Sequence, residues 1–257
     1  MIKKDDAEKA IRYLCHEWEK EKGVRFGPTD HPSFSESMLR KPVEAVLFDM
    51  DGLLIDTESA YIHALQDTAR DLKIEMTLEF CHSMIGISGR ECDVMIQNFY
   101  GAGFRIDQFR ERFSGHARRR LENHLPVKPG AVEMLDFLEG RGLRLAVATG
   151  SGRITAERHL GRAGLIDRFA AVATRDDVEN AKPAPDVYLE AARRLGVAPE
   201  RCIAFEDSNV GLTAAHAAGT MAFMVPDILP PLPEVRAKCL RVFDDLHAAR
   251  LMLEESL

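Results

Sequence analysis

Residues 43–58 read Val-Glu-Ala-Val-Leu-Phe-Asp-Met-Asp-Gly-Leu-Leu-Ile-Asp-Thr-Glu. The apolar run that ends at Phe48 is typical of a strand buried on both faces, as a parallel sheet requires. Asp49 and Asp51 follow this strand, and open α/β sheets bind ligands just beyond the carboxyl ends of their strands. Because two ionised carboxylates this close repel each other, the pair predicts a bound cation. Carboxylate oxygens on short side chains suit Mg²⁺.

Strand and helix patterns alternate regularly from residue 131 onward. We predict strands at 143–148, 169–173, 202–205 and 221–225, an edge strand at 241–243, and helices at 131–141, 153–163, 185–195 and 210–218. This alternation indicates βαβ units with right-handed crossovers. The predicted fold class is therefore α/β, a doubly wound, Rossmann-like parallel sheet that is interrupted once, directly after its first strand.

The interruption is a predicted all-helical insert at residues 58–126, and residues 42–57 with 127–257 form the predicted core. Residues 1–41 form a separate extension, with a helix from Asp5 or Asp6 to about Lys22 and then a linker rich in glycine and proline. This helix either packs on the main body or serves as an arm for dimerisation or for a binding partner.

Composition excludes several classes of partner. The chain has 257 residues, 46% apolar and 29% charged, with a net charge of −7. The absence of a basic block argues against nucleic acid, and the absence of a long apolar run argues against a membrane span. The charged start of the chain does not predict a signal peptide. Five scattered cysteines fit free thiols in the cytoplasm, and we expect a monomer or a homodimer.

The other predicted strands also end in polar residues. These residues are Thr149, Gly150 and Ser151 after one strand, Lys182 in the loop after the next, and Glu206 with Asp207 after a third. In a parallel sheet all of them converge with Asp49 and Asp51 on one edge. Carboxylates for a cation, together with a lysine and a helix start for an anion, indicate phosphoryl transfer. With no phosphate-binding Gly-x-x-x-x-Gly-Lys loop, the most plausible nucleophile is a carboxylate.

These residues resemble the four motifs of the haloacid dehalogenase superfamily, in order and at plausible spacing. Residues 51–58 and 206–211 are similar to its β-phosphoglucomutase-like phosphatase branch. The resemblance covers about residues 43–227 and implies that the helical insert is the α-helical cap of that superfamily. It leaves residues 1–41 unexplained.

The resemblance implies a role for each residue of the first two motifs. Asp49 attacks the substrate phosphorus and binds Mg²⁺. Asp51 protonates the leaving oxygen and then activates water, and its backbone carbonyl binds the metal. Thr149 hydrogen-bonds the transferring phosphoryl group, with Gly150 and Ser151 beside it. A general acid needs a raised pKa, and neighbouring carboxylates are expected to raise the pKa of Asp51.

The later motifs complete the implied site. Lys182 bridges Asp49 and the phosphoryl oxygens, Asp207 is a direct metal ligand, and Glu206 either shares the metal or supports it from behind. In the insert, the loop at 84–90 is the candidate that dips into the site, with Arg90 as a substrate-binding residue.

The resulting expectation is a Mg²⁺-dependent phosphatase that hydrolyses a small phosphorylated metabolite, such as a sugar phosphate, through an aspartyl-phosphate. The alternative is a phosphosugar mutase of the β-phosphoglucomutase type. That enzyme has a histidine at the position of Tyr61, so the tyrosine favours hydrolysis. A third hypothesis is a binding protein whose extension at 1–41 recruits a partner.

Overall fold

The computed structural model describes residues 39, 41–84, 89–101, 103–123 and 125–257. Apart from residues 39 and 41, the predicted N-terminal extension lies outside these described residues. Residues 85–88 of the predicted loop at 84–90 lie outside them as well.

Six strands of the described residues form one parallel sheet in the order β3-β2-β1-β4-β5-β6. They are β1 Ala45–Phe48, β2 Arg144–Ala148, β3 Ala171–Ala173, β4 Cys202–Glu206, β5 Met221–Met224 and β6 Arg241–Val242. Both β2 and β4 pair with β1, which is therefore central and fully buried. The predicted α/β class with a parallel sheet is confirmed.

Helices fill the connections between the strands. Between β1 and β2 lie α1 Glu58–Leu72, α2 Leu78–His82, α3 Gly89–Tyr100 and α4 Ile106–Asn123, followed by α5 Ala131–Gly140. The later helices are α6 Arg153–Arg162, α7 Asp186–Leu195, α8 Asn209–Ala217, α9 Pro233–Arg236 and α10 Leu246–Ser256. The helices α1 to α4 lie within residues 58–126, the stretch predicted to be a helical insert.

An aromatic row runs across the middle of the sheet. Phe48 is in register with Phe205, and Phe205 with Phe223. The ring centroids of each neighbouring pair are 5.6 Å apart in stacked geometry. Such pairs add about 0.5–1.5 kcal/mol beyond their burial. This row lies directly beneath the edge at which Asp49 and Glu206 emerge.

The two crossings between insert and core lie side by side. The Asp56 amide donates to the Pro126 carbonyl at 2.9 Å, and the Lys128 amide donates to the Leu54 carbonyl at 2.9 Å. Ile55 and Val127 form an antiparallel bridge between these bonds. The insert is therefore joined to the core through a short pair of hydrogen-bonded segments close to Asp51.

A second hydrophobic cluster lies mainly in the insert, and Ile228 of the core packs against it. Its buried members are Ile62, Leu65, Cys81, Met84, Ile96 and Phe109. On its polar side, Arg120 of α4 pairs with Asp67 of α1 at 2.5 Å. None of the helices in the described part of the chain is long and apolar enough to cross a membrane.

Candidate active site

The sheet holds the predicted site residues by their backbones. Beyond the ends of β1 and β2, the Asp49 amide donates to the Phe205 carbonyl and the Thr149 amide to the Ala173 carbonyl, both at 3.0 Å. Lys182 comes from the connection between β3 and α7, and its peptide bond to Pro183 is cis. The predicted groups therefore meet at the carboxyl edge of the sheet.

Lys182 joins two of the predicted carboxylates. Its Nζ donates to Asp49 Oδ1 at 2.5 Å and to Glu206 Oε1 at 2.5 Å. The Tyr188 hydroxyl donates to the same Glu206 oxygen at 2.6 Å. The Ser208 amide and hydroxyl donate to Glu206 Oε2 at 3.3 and 3.1 Å. Both oxygens of the fully buried Glu206 are thus occupied by donors from the protein.

Three buried carboxylates are arranged as metal ligands would be. Asp49, Glu206 and Asp207 each offer an oxygen, and these oxygens all lie within 4.8 Å of one another. Burial raises the pKa of Asp49 to about 8 against the attraction of Lys182, with the charges of Glu206 and Asp51 adding to the rise. Burial, followed by the charges of Glu206 and Asp49, raises the pKa of Asp207 well above its usual value. One ammonium group does not balance this cluster, so its residues fit a hard divalent cation such as Mg²⁺.

Gly52 allows the chain after β1 to lie against this cluster. Its φ is +84°, and a Cβ built there would lie 2.4 Å from Asp207 Oδ2. The turn closes through the Leu54 and Ile55 amides, which both donate to the Met50 carbonyl at 3.0 and 3.1 Å. A side chain at Gly52 would push Asp207 out of position, which explains a glycine directly after Asp51.

Asp51 is surrounded by hydroxyl donors. Thr57 Oγ1 donates to its Oδ1 at 2.8 Å, whereas Ser151 Oγ and Thr149 Oγ1 donate to its Oδ2 at 2.7 and 3.4 Å. Burial alone would raise the pKa of Asp51, but the interactions with His159, Ser151 and Thr57 lower it below the usual value. The raised pKa expected from the sequence is therefore wrong for this structure. The hydroxyl donors and the nearby His159 stabilise the carboxylate more than its burial destabilises it.

His159 is the site neighbour that the sequence analysis missed. It lies on α6, is 1% exposed, and its Nδ1 is 3.9 Å from Asp51 Oδ1. A signal was available, because Ala156, His159 and Leu160 have the spacing of one buried helix face, and all three are buried.

The helix start after Thr149 differs from the expected anion site. α6 begins at Arg153, whose amide donates to Asp176 Oδ2 at 2.9 Å. The Ser151 amide donates to Thr149 Oγ1 at 3.0 Å. Some of the amides expected to face an anion are thus paired within the protein, while Gly150 and Ser151 do line the cavity described next.

A cavity of about 590 Å³ lies between the sheet edge and the insert. Its floor includes the predicted residues Asp49, Asp51, Gly150, Ser151, Lys182 and Asp207. Its roof is largely apolar and includes Tyr61, Ile62, Leu65, Met84, Ile96, Phe109 and Phe113, together with the charged Glu58, Asp93 and Arg110.

The structure does not bring Arg90 to this cavity. Arg90 is exposed at the start of α3, while the cavity lining includes Arg110 of α4. Arg110 pairs with Asp93 at 2.6 Å. Among the described residues of the insert, the basic residue on the cavity lining is therefore Arg110 of α4.

Fold and site together define a hydrolase of the haloacid dehalogenase type. The family model described as haloacid dehalogenase-like hydrolase matches residues 46–225, so the chain belongs to this family. Within it, the chain is an enzyme of the β-phosphoglucomutase-like phosphatase branch.

Individual relatives place the chain among phosphatases. The phosphorylated carbohydrates phosphatase of Thermotoga maritima is 33% identical over 177 residues, which are 69% of this chain and 82% of that protein. Hexitol phosphatase B of Escherichia coli K12 is 31% identical over 190 residues, covering 72% of this chain and 85% of that protein. A family hydrolase from Deinococcus radiodurans R1, solved with bound phosphate and sodium, superposes with a TM-score of 0.72 at 26% identity, covering 84% of this chain and 96% of that one.

Proposed function

We propose that this protein is a Mg²⁺-dependent phosphatase that hydrolyses small phosphorylated metabolites of the sugar phosphate type through an aspartyl-phosphate on Asp49. The observation that carries the proposal is the 2.5 Å contact of Lys182 with Asp49, beside Glu206 and Asp207 on the floor of the cavity. A nucleophilic carboxylate between an anion-binding lysine and cation-binding acids is what phosphoryl transfer needs. The names of the two phosphatase relatives support the substrate class.

We assign the cation to Asp49, Asp207 and the backbone carbonyl of Asp51. Glu206 serves a different purpose, because all of its hydrogen-bonding contacts hold Lys182, Tyr188 and Ser208 in place. When bound, the cation offsets the negative charge that accumulates as an anionic nucleophile approaches an anionic phosphate.

The reaction then proceeds in two displacements at phosphorus. A carboxylate oxygen of Asp49 forms a bond to phosphorus, the bond from phosphorus to the ester oxygen breaks, and Asp51 gives its proton to that oxygen. A water molecule next attacks the aspartyl-phosphate, Asp51 takes the proton of the water, and inorganic phosphate leaves with the Asp49 carboxylate restored. Lys182 holds the phosphoryl oxygens throughout, and Thr149 donates to them once its hydroxyl has left Asp51.

The low pKa of Asp51 suits the second displacement, in which it acts as a base. For the first displacement Asp51 must carry a proton. The negative charge of an arriving phosphate lies close to Asp51 and raises its pKa, which favours that protonation. Substrate binding and proton loading are therefore linked in this proposal.

Residues 58–126 act as the cap in this proposal, over a core of residues 42–57 and 127–257. The cap supplies the largely apolar roof of the cavity, so its closure would exclude water from the aspartyl-phosphate. We propose that the protein acts in the cytoplasm as a monomer or homodimer. Its partner is then the small phosphorylated substrate, and neither nucleic acid nor a membrane is involved.

The phosphosugar mutase alternative is not favoured by the comparisons. Tyr61 lines the cavity where that enzyme type has a histidine. Burial raises the pKa of the Tyr61 phenol, and the charge of Asp51 adds to the rise. The phenol therefore stays protonated and does not accept a proton as a neutral imidazole would.

Replacement of Asp49 by asparagine tests the proposal. We expect release of inorganic phosphate from p-nitrophenyl phosphate and from a panel of sugar phosphates with Mg²⁺, and a loss of more than about 10³-fold in Asp49→Asn. Asp136→Asn is the matched control, since its side chain is 64% exposed on α5 and its partner Arg168 does not line the cavity. Full activity of Asp49→Asn, or a parent protein that releases no phosphate from any ester, would overturn the proposed function.

A further inference from the structure

His159 is a buried polar side chain with no hydrogen-bonding use of its own. It is 1% exposed, and neither Nδ1 nor Nε2 has a hydrogen-bond partner within the part of the chain that the structure describes. Buried polar side chains without partners are rare in native proteins. An aliphatic residue would fill this place without that cost, so packing alone does not account for a histidine here.

The position of His159 points to Asp51. Its Nδ1 lies 3.9 Å from Asp51 Oδ1, beyond hydrogen-bonding distance but within the reach of a small rotation of the carboxylate. That oxygen now accepts from Thr57 at 2.8 Å, while Ser151 donates to the other oxygen at 2.7 Å. If Asp51 turns toward a leaving oxygen, its present hydroxyl contacts lengthen and the imidazole is the buried donor left beside it.

We propose that His159 is a positioning residue for Asp51. His159 donates a hydrogen bond from its Nδ1 to the Asp51 carboxylate as Asp51 releases its proton to the leaving oxygen. The proposal rests on the proposed function, because it takes Asp51 as the acid and base of phosphate hydrolysis. A donor that reaches a carboxylate stabilises the charged form. His159 therefore helps most when the leaving group requires protonation.

Two aryl esters separate this role from a structural one. Nitrophenolate leaves readily without a proton, whereas phenolate is a poorer leaving group and depends more on the acid. The value of kcat/KM reports the steps up to formation of the aspartyl-phosphate. We expect His159→Phe, which keeps the ring and removes the donor, to lower kcat/KM for phenyl phosphate by about 10-fold to 100-fold. For p-nitrophenyl phosphate we expect a loss of less than about 3-fold.

Two further variants complete the test. His159→Asn places an amide donor near the position of Nδ1 and should recover most of the activity on phenyl phosphate. Leu160→Ala removes a fully buried neighbour on the same helix without touching Asp51, so it should lower Tm and change both esters by the same factor.

Equal losses on the two esters in His159→Phe, or no recovery in His159→Asn, would overturn the positioning role. These outcomes leave the proposed function intact as long as the parent hydrolyses both esters. If the parent hydrolyses neither ester, the proposed function has failed and the role of His159 falls with it.

Discussion

Replacement of Gly211 by alanine tests how the site is held. Gly211 lies in α8 against the Glu206 carboxylate, and a Cβ built on it would lie 1.9 Å from Oε1, 2.1 Å from Cδ and 2.2 Å from Oε2. Its φ is not positive, so the backbone itself does not require glycine. Helix propensity alone favours alanine at such a position by about 1 kcal/mol. The structure predicts instead that alanine at position 211 destabilises the protein and lowers its activity.

The size of the effect follows from the distances. Ordinary van der Waals contact begins at 3.4 Å, so the carboxylate must retreat by about 1.5 Å from its 1.9 Å separation. A shift of that size breaks its contacts with Lys182 at 2.5 Å and Tyr188 at 2.6 Å. Breaking a buried ion pair costs about 3–5 kcal/mol, which lowers Tm by about 6–20 °C in a chain of this size. Glu206 then no longer holds Lys182 in place beside Asp49, so activity should fall by about 10²-fold.

Thermal unfolding and phosphate release from p-nitrophenyl phosphate measure the two consequences. Gly161→Ala is the matched control, because Gly161 also lies inside a helix and no described atom outside that helix lies within 4 Å of its built Cβ. We expect the Tm of Gly161→Ala to equal or exceed that of the parent. The gain in the free energy of unfolding should be at most about 1 kcal/mol. If Gly211→Ala behaves like Gly161→Ala in both assays, the reasoning about Glu206 is refuted.

Two further predictions concern charge. Mg²⁺ at 100 times its Kd should raise the unfolding free energy by about 2.7 kcal/mol, seen as a Tm shift that EDTA reverses; a shift that survives in Asp207→Asn would place the ion elsewhere. Hydrogen bonds from Arg193 and Arg194 lower the pKa of Glu190 to about 2 from 4.5. A lowered folded-state pKa gives stability that is present above pH 4.5 and lost as pH falls through about 2. Glu190→Gln should remove this acid sensitivity. Because Glu190 lies near the surface, the stability lost with it should be less than about 1 kcal/mol. If Tm measured against pH falls in parallel in the parent and in Glu190→Gln, the prediction is contradicted.

The floor of the site was accessible from the sequence because it depends on topology alone. Asp49 and Lys182 are 133 residues apart, yet each follows a strand that a local pattern reveals. Once the sheet is parallel, the carboxyl ends of its strands share one edge. The contact of Lys182 with Asp49 and Glu206 then requires no knowledge of how the helices pack.

The charge state of Asp51 was not accessible in the same way. From the sequence, the neighbouring acids predict a raised pKa for Asp51. In the structure, hydrogen bonds from Thr57 and Ser151 and the nearby imidazole of His159 come from separate segments, and together they lower the pKa of Asp51 despite its burial. The helical spacing of His159 shows that it is buried, but which residue it faces depends on how α6 is rotated against the sheet.

The roof of the cavity depends even more strongly on tertiary packing. An apolar pattern tells which face of α3 or α4 is buried, but the packing of the two helices decides which polar residues face the site. Arg110 reaches Asp93 across that packing and lines the cavity, whereas Arg90, which the sequence suggested as a substrate-binding residue, is exposed. The residues that would select the substrate therefore lie where sequence patterns are least informative. The residues that would carry the chemistry lie at strand ends, where those patterns are most informative.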